Sequence, residues 1–165
     1  MKKHVFSLLI AAFVALSTSV GYAFTWKWVY SDEHEGLFFD IDKIRFELDY
    51  SDQNTPPKID PYRITVWEKT VVTQAGANRL SELTKDNRLS KLDHILSLET
   101  FSVSNRTITI HTRDYYDRDG NFIRSSDQGQ TYKIDYGTWT SKLLTDILEY
   151  TITHRDELIR NAYEN

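Results

Sequence analysis

Cysteine is absent from the chain, and its absence excludes more chemistry than any other feature of the composition. No disulfide can staple the fold, no thiolate can act as nucleophile or metal ligand, and no thiol can carry a lipid anchor. Proline is scarce: Pro56, Pro57 and Pro61 are the only three, and all lie in one short stretch. Glycine is scarce too, with six in the chain and none spaced as a phosphate-cradling loop requires. No Gly-x-Ser-x-Gly turn occurs, so a serine hydrolase of that type has no anchor. Long apolar runs are missing after the first, Val5–Leu16.

That one run is informative. Lys2, Lys3 and His4 precede it, small and polar residues follow, and Gly21 and Ala23 occupy positions where a signal peptidase accepts only small side chains. The run falls short of the roughly 20 residues needed to span a bilayer. Residues 1–23 therefore read as a cleavable signal peptide, with the cut between Ala23 and Phe24. The expected product is residues 24–165, a single domain without a transmembrane segment, exported to the periplasm, cell surface or extracellular space. The segment 1–23 holds two of the 20 basic residues and none of the 24 acidic ones, so residues 24–165 carry 18 against 24, a net charge of −6. A balance of that sign argues against nucleic acid as a partner, because phosphate backbones select for positive charge.

Residues 26–50 alternate with a period of two, as in Ile44, Phe46, Leu48 and Tyr50 against Arg45, Glu47 and Asp49, which predicts strands. The proline-bearing stretch 51–61 reads as a loop. Tyr62–Thr73 is rich in β-branched and aromatic residues on both faces, as expected of a central strand. A short helix is expected over 77–86. His94–Val103, Thr107–Tyr116 and Phe122–Ser125 then form a meander whose turns carry Asn, Asp and Gly. In the last segment, Thr140 or Ser141 is a candidate helix cap, and Leu144, Ile147, Leu148, Ile152, Ile159 and Ala162 form a stripe at helical spacing. The β-branched run Thr151-Ile152-Thr153 is a place where that helix can break. The expected fold is α+β: an antiparallel, meander-like sheet of about six strands with a long C-terminal helix packed on one face.

Several short stretches resemble the surface-adhesin E family of small exported bacterial domains. They are Trp28-Val29 leading to Leu37-Phe38-Phe39-Asp40-Ile41, then Val66-Trp67-Glu68-Lys69, then Ser97-Leu98-Glu99 with Asn105-Arg106 and Tyr115-Tyr116-Asp117, and finally Trp139 before an apolar helix. The cysteine pair that family members often carry is missing. The resemblance implies a sheet-plus-helix domain of the cell envelope that binds a protein or another envelope component and is not an enzyme.

The remaining motifs point to no catalytic chemistry. Asp117–Asn121 has the look of a calcium loop, but anchoring it on Gly120 puts Tyr115 and Ser126 at positions that need acidic oxygens, so it reads as a hairpin turn. His34, His94, His111 and His154 are never three or four residues apart, and neither a metal nor a cofactor is expected. Asp32-Glu33-His34-Glu35 reads as a solvated turn. Aromatic residues make up 13% of the chain, enough that some are free for recognition. Trp26, Trp28, Phe39, Phe46 and Trp67 are expected to be mostly core. Tyr115, Tyr116, Tyr132, Tyr136 and Trp139 lie near turns and the helix entrance, and they are the candidate binding aromatics. Their competing reading is a small second core that seats the helix. The sequence thus leaves three functions in order: an adhesin-like envelope binding domain, a periplasmic small-ligand carrier using the gap between sheet and helix, and a hydrolase with an acid–base site assembled by folding.

Overall fold

A computed structural model describes residues 24–126 and 129–163; residues 1–23, read above as a signal peptide, lie outside the described residues. Eight strands form one open antiparallel sheet: β1 Trp26–Ser31, β2 Glu35–Asp40, β3 Arg45–Asp49, β4 Lys58–Val72, β5 Leu92–Ser102, β6 Thr107–Asp117, β7 Phe122–Ser126 and β8 Gln130–Lys133. The sequence reading of about six strands is thus corrected to eight, although the sheet is only six positions wide. The 15-residue β4 pairs β2 along one end and β3 along the other, and β6 likewise pairs both β7 and β8. Short strands therefore share the edges of long ones.

Among the described residues three α-helices accompany the sheet: α1 Gln74–Thr84, α2 Trp139–Thr153 and α3 Arg155–Ala162; a 3₁₀ turn, Asn87–Lys91, follows α1. The α1 helix starts three residues before the sequence expectation because Thr73 caps it, its Oγ1 accepting from the Gly76 N–H at 3.1 Å. At its other end Lys85 takes a left-handed conformation, φ 57°, which stops the helix.

The expected single long C-terminal helix is instead two short ones, and the run Thr151-Ile152-Thr153 is where it ends. Thr151 Oγ1 donates to the Leu148 carbonyl at 3.0 Å and Thr153 Oγ1 donates to that of Glu149, so side-chain hydroxyls compete for backbone acceptors. His154, at φ −114° and ψ 22°, breaks the helical geometry, and its carbonyl then accepts from Leu158 at 3.1 Å to open α3. Nor are Thr140 and Ser141 the cap of α2. Thr138 caps it, accepting from the Ser141 N–H at 3.2 Å while donating to the Asp135 carbonyl at 2.7 Å. The tight turn this closes needs positive φ at Gly137, 77°.

On β4, side chains alternate between the faces, so Ile64, Val66, Glu68, Thr70 and Val72 share one. Register places Phe101, Glu99, Ser97 and Ile95 of β5 beside them, and Ile108, Ile110, Arg113 and Tyr115 of β6 beyond. This inner face carries two separate apolar clusters. Under α2 and α3 lie Phe39, Ile64, Val66, Phe101, Leu143, Ile147 and Leu158. Under α1 and the 3₁₀ turn lie Val72, Ala77, Leu89, Leu92 and Tyr115. Full burial of a side chain such as Leu143 or Ile147 contributes about 2 kcal/mol, which makes the helices part of the core rather than ornaments on it. Phe39 and Phe46 are buried as expected. Trp26 and Trp67 are only half-buried because their strand parity turns them to the opposite face, and Trp28 stands 57% exposed on the edge strand.

Candidate functional site

Between the two apolar clusters the inner face is polar. Glu68, Thr70, Ser97 and Glu99 are all buried, and Arg113 joins them from β6. Three strands converge here because Ser97 sits opposite both Glu68 and Arg113 in the register. Thr70 Oγ1 donates to Glu68 Oε1 at 2.9 Å. Arg113 donates from Nε to Ser97 Oγ at 3.2 Å and from Nη2 to Glu99 Oε1 at 3.4 Å. Oε2 of Glu68 and of Glu99 are buried and accept from no N–H or hydroxyl, and the two carboxyls are within hydrogen-bonding reach of each other.

Two buried carboxyls side by side cannot both ionise cheaply. Burial pushes the Glu99 carboxyl well above the usual glutamate range, and the neighbouring Glu68 charge adds to it. Burial raises Glu68 as well, but Arg113 and the Thr70 hydroxyl hold it back. Of the two, Glu99 is the more strongly raised, and the pair holds a proton more readily than two exposed glutamates do.

Above this band the helices leave a seam. A cavity of about 190 Å³ opens between α1 and the first turn of α2, walled by Leu80 and Trp139 and floored by Glu68 and Arg113, with Tyr30 and Glu35 at its side. Tyr30, Glu35 and Trp139 also line a larger open groove of about 560 Å³ that runs outward past Asp32, Lys133, Thr138 and Lys142. The Thr138 cap sets where Trp139 stands. The turn Asp32–Glu35 sets the other wall: Asp32 Oδ1 accepts from the backbone N–H groups of His34 at 2.7 Å and Glu35 at 2.9 Å, which holds its carboxyl below the usual range. The sequence presents this turn as merely solvated, yet it frames the groove. Glu35 is half-buried, and that burial, reinforced by Asp32, raises its carboxyl. Tyr30 donates its hydroxyl to Asp32 at 3.2 Å.

The five candidate aromatics separate. Tyr115 is buried in the α1 cluster, with the Arg124 guanidinium 4.7 Å from its ring centre, and only its edge meets the inner cavity. Tyr116 is half-buried and stacks on His94 at 5.1 Å. Tyr132 is exposed on β8, and Tyr136 is exposed with the Arg106 guanidinium 3.7 Å over its ring. Trp139, 43% exposed, is the one that lines both groove and cavity. Glu35 enters the sequence reading only within the Asp32–Glu35 turn, and Tyr30, Glu68, Glu99 and Arg113 are not among its candidate site residues. Their signal was the parity of charged residues with Val66 and Phe101 on strands that otherwise point apolar groups inward.

Among the described residues no group of three or more His, Asp or Glu is placed to hold a metal ion. Among them, too, no helix is long and apolar enough to cross a membrane. The fold and site together define an α+β domain with an open antiparallel sheet, a small cavity floored by Glu68 between α1 and α2, and an open groove beside it walled by Tyr30 and Trp139. No protein-family model matches the chain, and no curated protein matches it.

Proposed function

We propose that the protein is an exported, non-enzymatic binding domain of the cell envelope that holds its partner, a protein or other envelope component, through the groove between the Asp32–Glu35 turn and the start of α2. The groove itself supports this reading: some 560 Å³ of open space with Tyr30 and Trp139 on its walls and charged groups of both signs along it. Aromatic walls supply apolar contact at small entropic cost, and flanking polar groups orient what is bound. The signal-like segment and the resemblance to surface-adhesin E domains agree with it. Carriage of a free small molecule is the second reading, favoured by the volume of the groove, which exceeds the roughly 300 Å³ at which ligand pockets begin.

Acid–base hydrolysis has less support. A hydrolytic pair needs both carboxyls at the reacting bond. Of the two buried glutamates, Glu68 lines the inner cavity and Glu99 does not.

The test is binding of the immobilised protein to a panel of soluble envelope and extracellular-matrix proteins, with Trp139→Ala and Tyr132→Ala beside the parent chain. Trp139→Ala should weaken binding about tenfold, as loss of a central aromatic anchor does, and Tyr132→Ala should leave it unchanged. Binding at background level, or binding indifferent to Trp139, refutes the proposal.

A further inference from the structure

The helices pack on one side of the sheet and leave the other side bare. Leu143, Ile147 and Leu158 are buried against the inner face, as are Ala77 and Leu89, so among the described residues no helix covers the outer one. Strand parity gives that outer face Trp67, Lys69 and Val71 of β4, and the register sets Leu98, Leu96 and His94 of β5 beside them. Thr112, Asp114 and Tyr116 of β6 complete three cross-strand rows. Phe38 of β2 and Ser125 of β7 extend the middle row, and Gly36 and Phe122 extend the third. Trp67, Leu96, Leu98 and Tyr116 are half-buried there, while Val71 is 37% and Phe122 58% exposed. An uncovered apolar patch rimmed by polar groups marks an interaction surface.

The charges on this face select its occupant. Lys69 and Asp114 lie in the same row on either side of Leu96. Lys69 Nζ stands 5.7 Å from the Trp26 ring centre, and Asp114 accepts from the hydroxyls of Thr112, at 3.3 Å, and Ser125, so each meets neutral groups in its own chain. A two-fold axis along β5, in the plane between two such faces, exchanges β4 with β6 and β2 with β7. It sets Lys69 of each copy over Asp114 of the other, Trp67 over Thr112 and Val71 over Tyr116. Leu96 and Leu98 then meet their own equivalents on the axis. Phe122, the most exposed ring of these rows, arrives over Gly36, the one position in them without a side chain. A two-fold axis across the strands through the middle row would instead set Lys69 on Lys69 and Asp114 on Asp114. The charge pattern thus chooses the axis along β5, and it makes the face complementary to itself.

We propose that the outer face of the sheet is the interface of a two-fold homodimer whose axis runs along β5, with reciprocal Lys69–Asp114 pairs on either side of a seam made by Leu96 and Leu98. Five strands at about 4.8 Å and three rows at about 6.7 Å cover roughly 500 Å² on each copy, or roughly 1,000 Å² in total. That area stands at the low end of specific interfaces, so the dimer is a weak one that forms in the micromolar range. The twist of the sheets keeps the strands of the two copies within about 30° of each other, which preserves these pairings. The groove and the inner cavity lie on the opposite face, so the dimer carries one groove on each of its outer sides and forms whatever they hold.

Sedimentation equilibrium of the purified protein from about 1 µM to about 500 µM, a span set by the weak-interface range, measures the association. The parent should pass from monomer to dimer and no further, since a two-fold contact closes on itself. Lys69→Glu or Asp114→Lys alone sets like charges across the interface twice and should weaken the dimer at least about tenfold. An equimolar mixture of those two variants should associate again, because positions 69 and 114 then carry opposite charges at both contacts. Phe122→Ala, at an exposed position, should weaken the parent dimer about tenfold, and it keeps the test intact if Asp114→Lys folds poorly. Trp139→Ala, on the other face, should leave association unchanged. A parent protein that stays monomeric at the highest concentration overturns the proposal, as does association that runs on beyond dimers. A mixture of the two folded charge variants that associates no better than either alone overturns the pairing of Lys69 with Asp114. A dimer that survives both charge reversals and Phe122→Ala is built on another surface, and it overturns the proposal as well.

Discussion

Replacing Glu99 by Gln should make the protein more stable at pH 8 and leave it nearly unchanged at pH 4. Glu99 is fully buried, its carboxyl is raised by that burial and by Glu68, and Arg113 reaches it only at 3.4 Å. The groups facing the pair are Thr70, Arg113 and Glu35, and Arg113 is the one that favours ionisation. A carboxyl whose folded value lies above its unfolded value of about 4.3 binds more protons in the native state than in the unfolded one. Its contribution to stability is therefore complete below the unfolded value and is lost as pH rises toward the raised one. The loss amounts to about 1.4 kcal/mol for each pH unit over which one proton is held in the fold but not in the unfolded chain. Gln has the same shape, keeps an oxygen for Arg113, presents an amide N–H toward Glu68 and never charges. The variant should lack the decline, with a gain at pH 8 of about 1–4 kcal/mol, the range found when buried charged groups give way to neutral ones. Each kcal/mol is worth about 3 °C in Tm for a domain of this size. Thermal and urea melts of both proteins from pH 4 to pH 8 measure it. A parent protein whose stability rises from pH 5 to pH 8, or a variant destabilised equally at both ends, refutes a raised carboxyl at Glu99.

Two further changes probe the walls of the groove. Gly76→Ala would place a Cβ 2.3 Å from the His34 carbonyl oxygen and 2.9 Å from Val72 Cγ1, so α1 must move off the Asp32–Glu35 turn; a loss of roughly 1–3 kcal/mol is expected in a urea melt, and an unchanged midpoint would refute the contact. Thr138→Ala removes the α2 cap and its tie to Asp135; about 1 kcal/mol should be lost in the same assay, together with part of the Trp139-dependent binding, and full binding would show that the cap does not set the position of Trp139.

Strand parity carried the fold a long way. The alternation of Ile64, Val66 and Val72 is visible in the chain, and so is the β-branched run that ends α2. The edge-sharing of β2 and β3 along β4 is not, because which short strand pairs which half of a long one depends on contacts far apart in sequence. The expected cap of α2 lies two or three residues too late since Thr138, Thr140 and Ser141 are all competent caps, and the turn at Gly137 decides among them. The tryptophans illustrate a different limit. Trp67 looks like core by its chemistry, but its neighbours Val66 and Glu68 occupy the buried face, so the sheet leaves it half-exposed. For the site, the sequence shows two glutamates on inward-pointing positions. Only the register, which sets Ser97 between Glu68 and Arg113, turns residues 68, 97, 99 and 113 into one cluster.

The polar band also accounts for why a groove exists at this place. The clusters under α1 and under α2 with α3 are each dry, and each holds its own helix. Were Glu68 and Glu99 apolar residues of similar size, the two clusters would merge into one surface, and nothing would keep α1 and Trp139 apart over it. Such a core would be more stable, since a buried ionic group is at best a weak stabiliser beside packed hydrocarbon. The band thus exchanges stability for separation. It holds the helical caps apart and leaves Glu68 at the bottom of the gap between them. A ligand that binds in this gap is therefore expected to raise domain stability, while apolar replacements of Glu68 and Glu99 raise stability and close the gap.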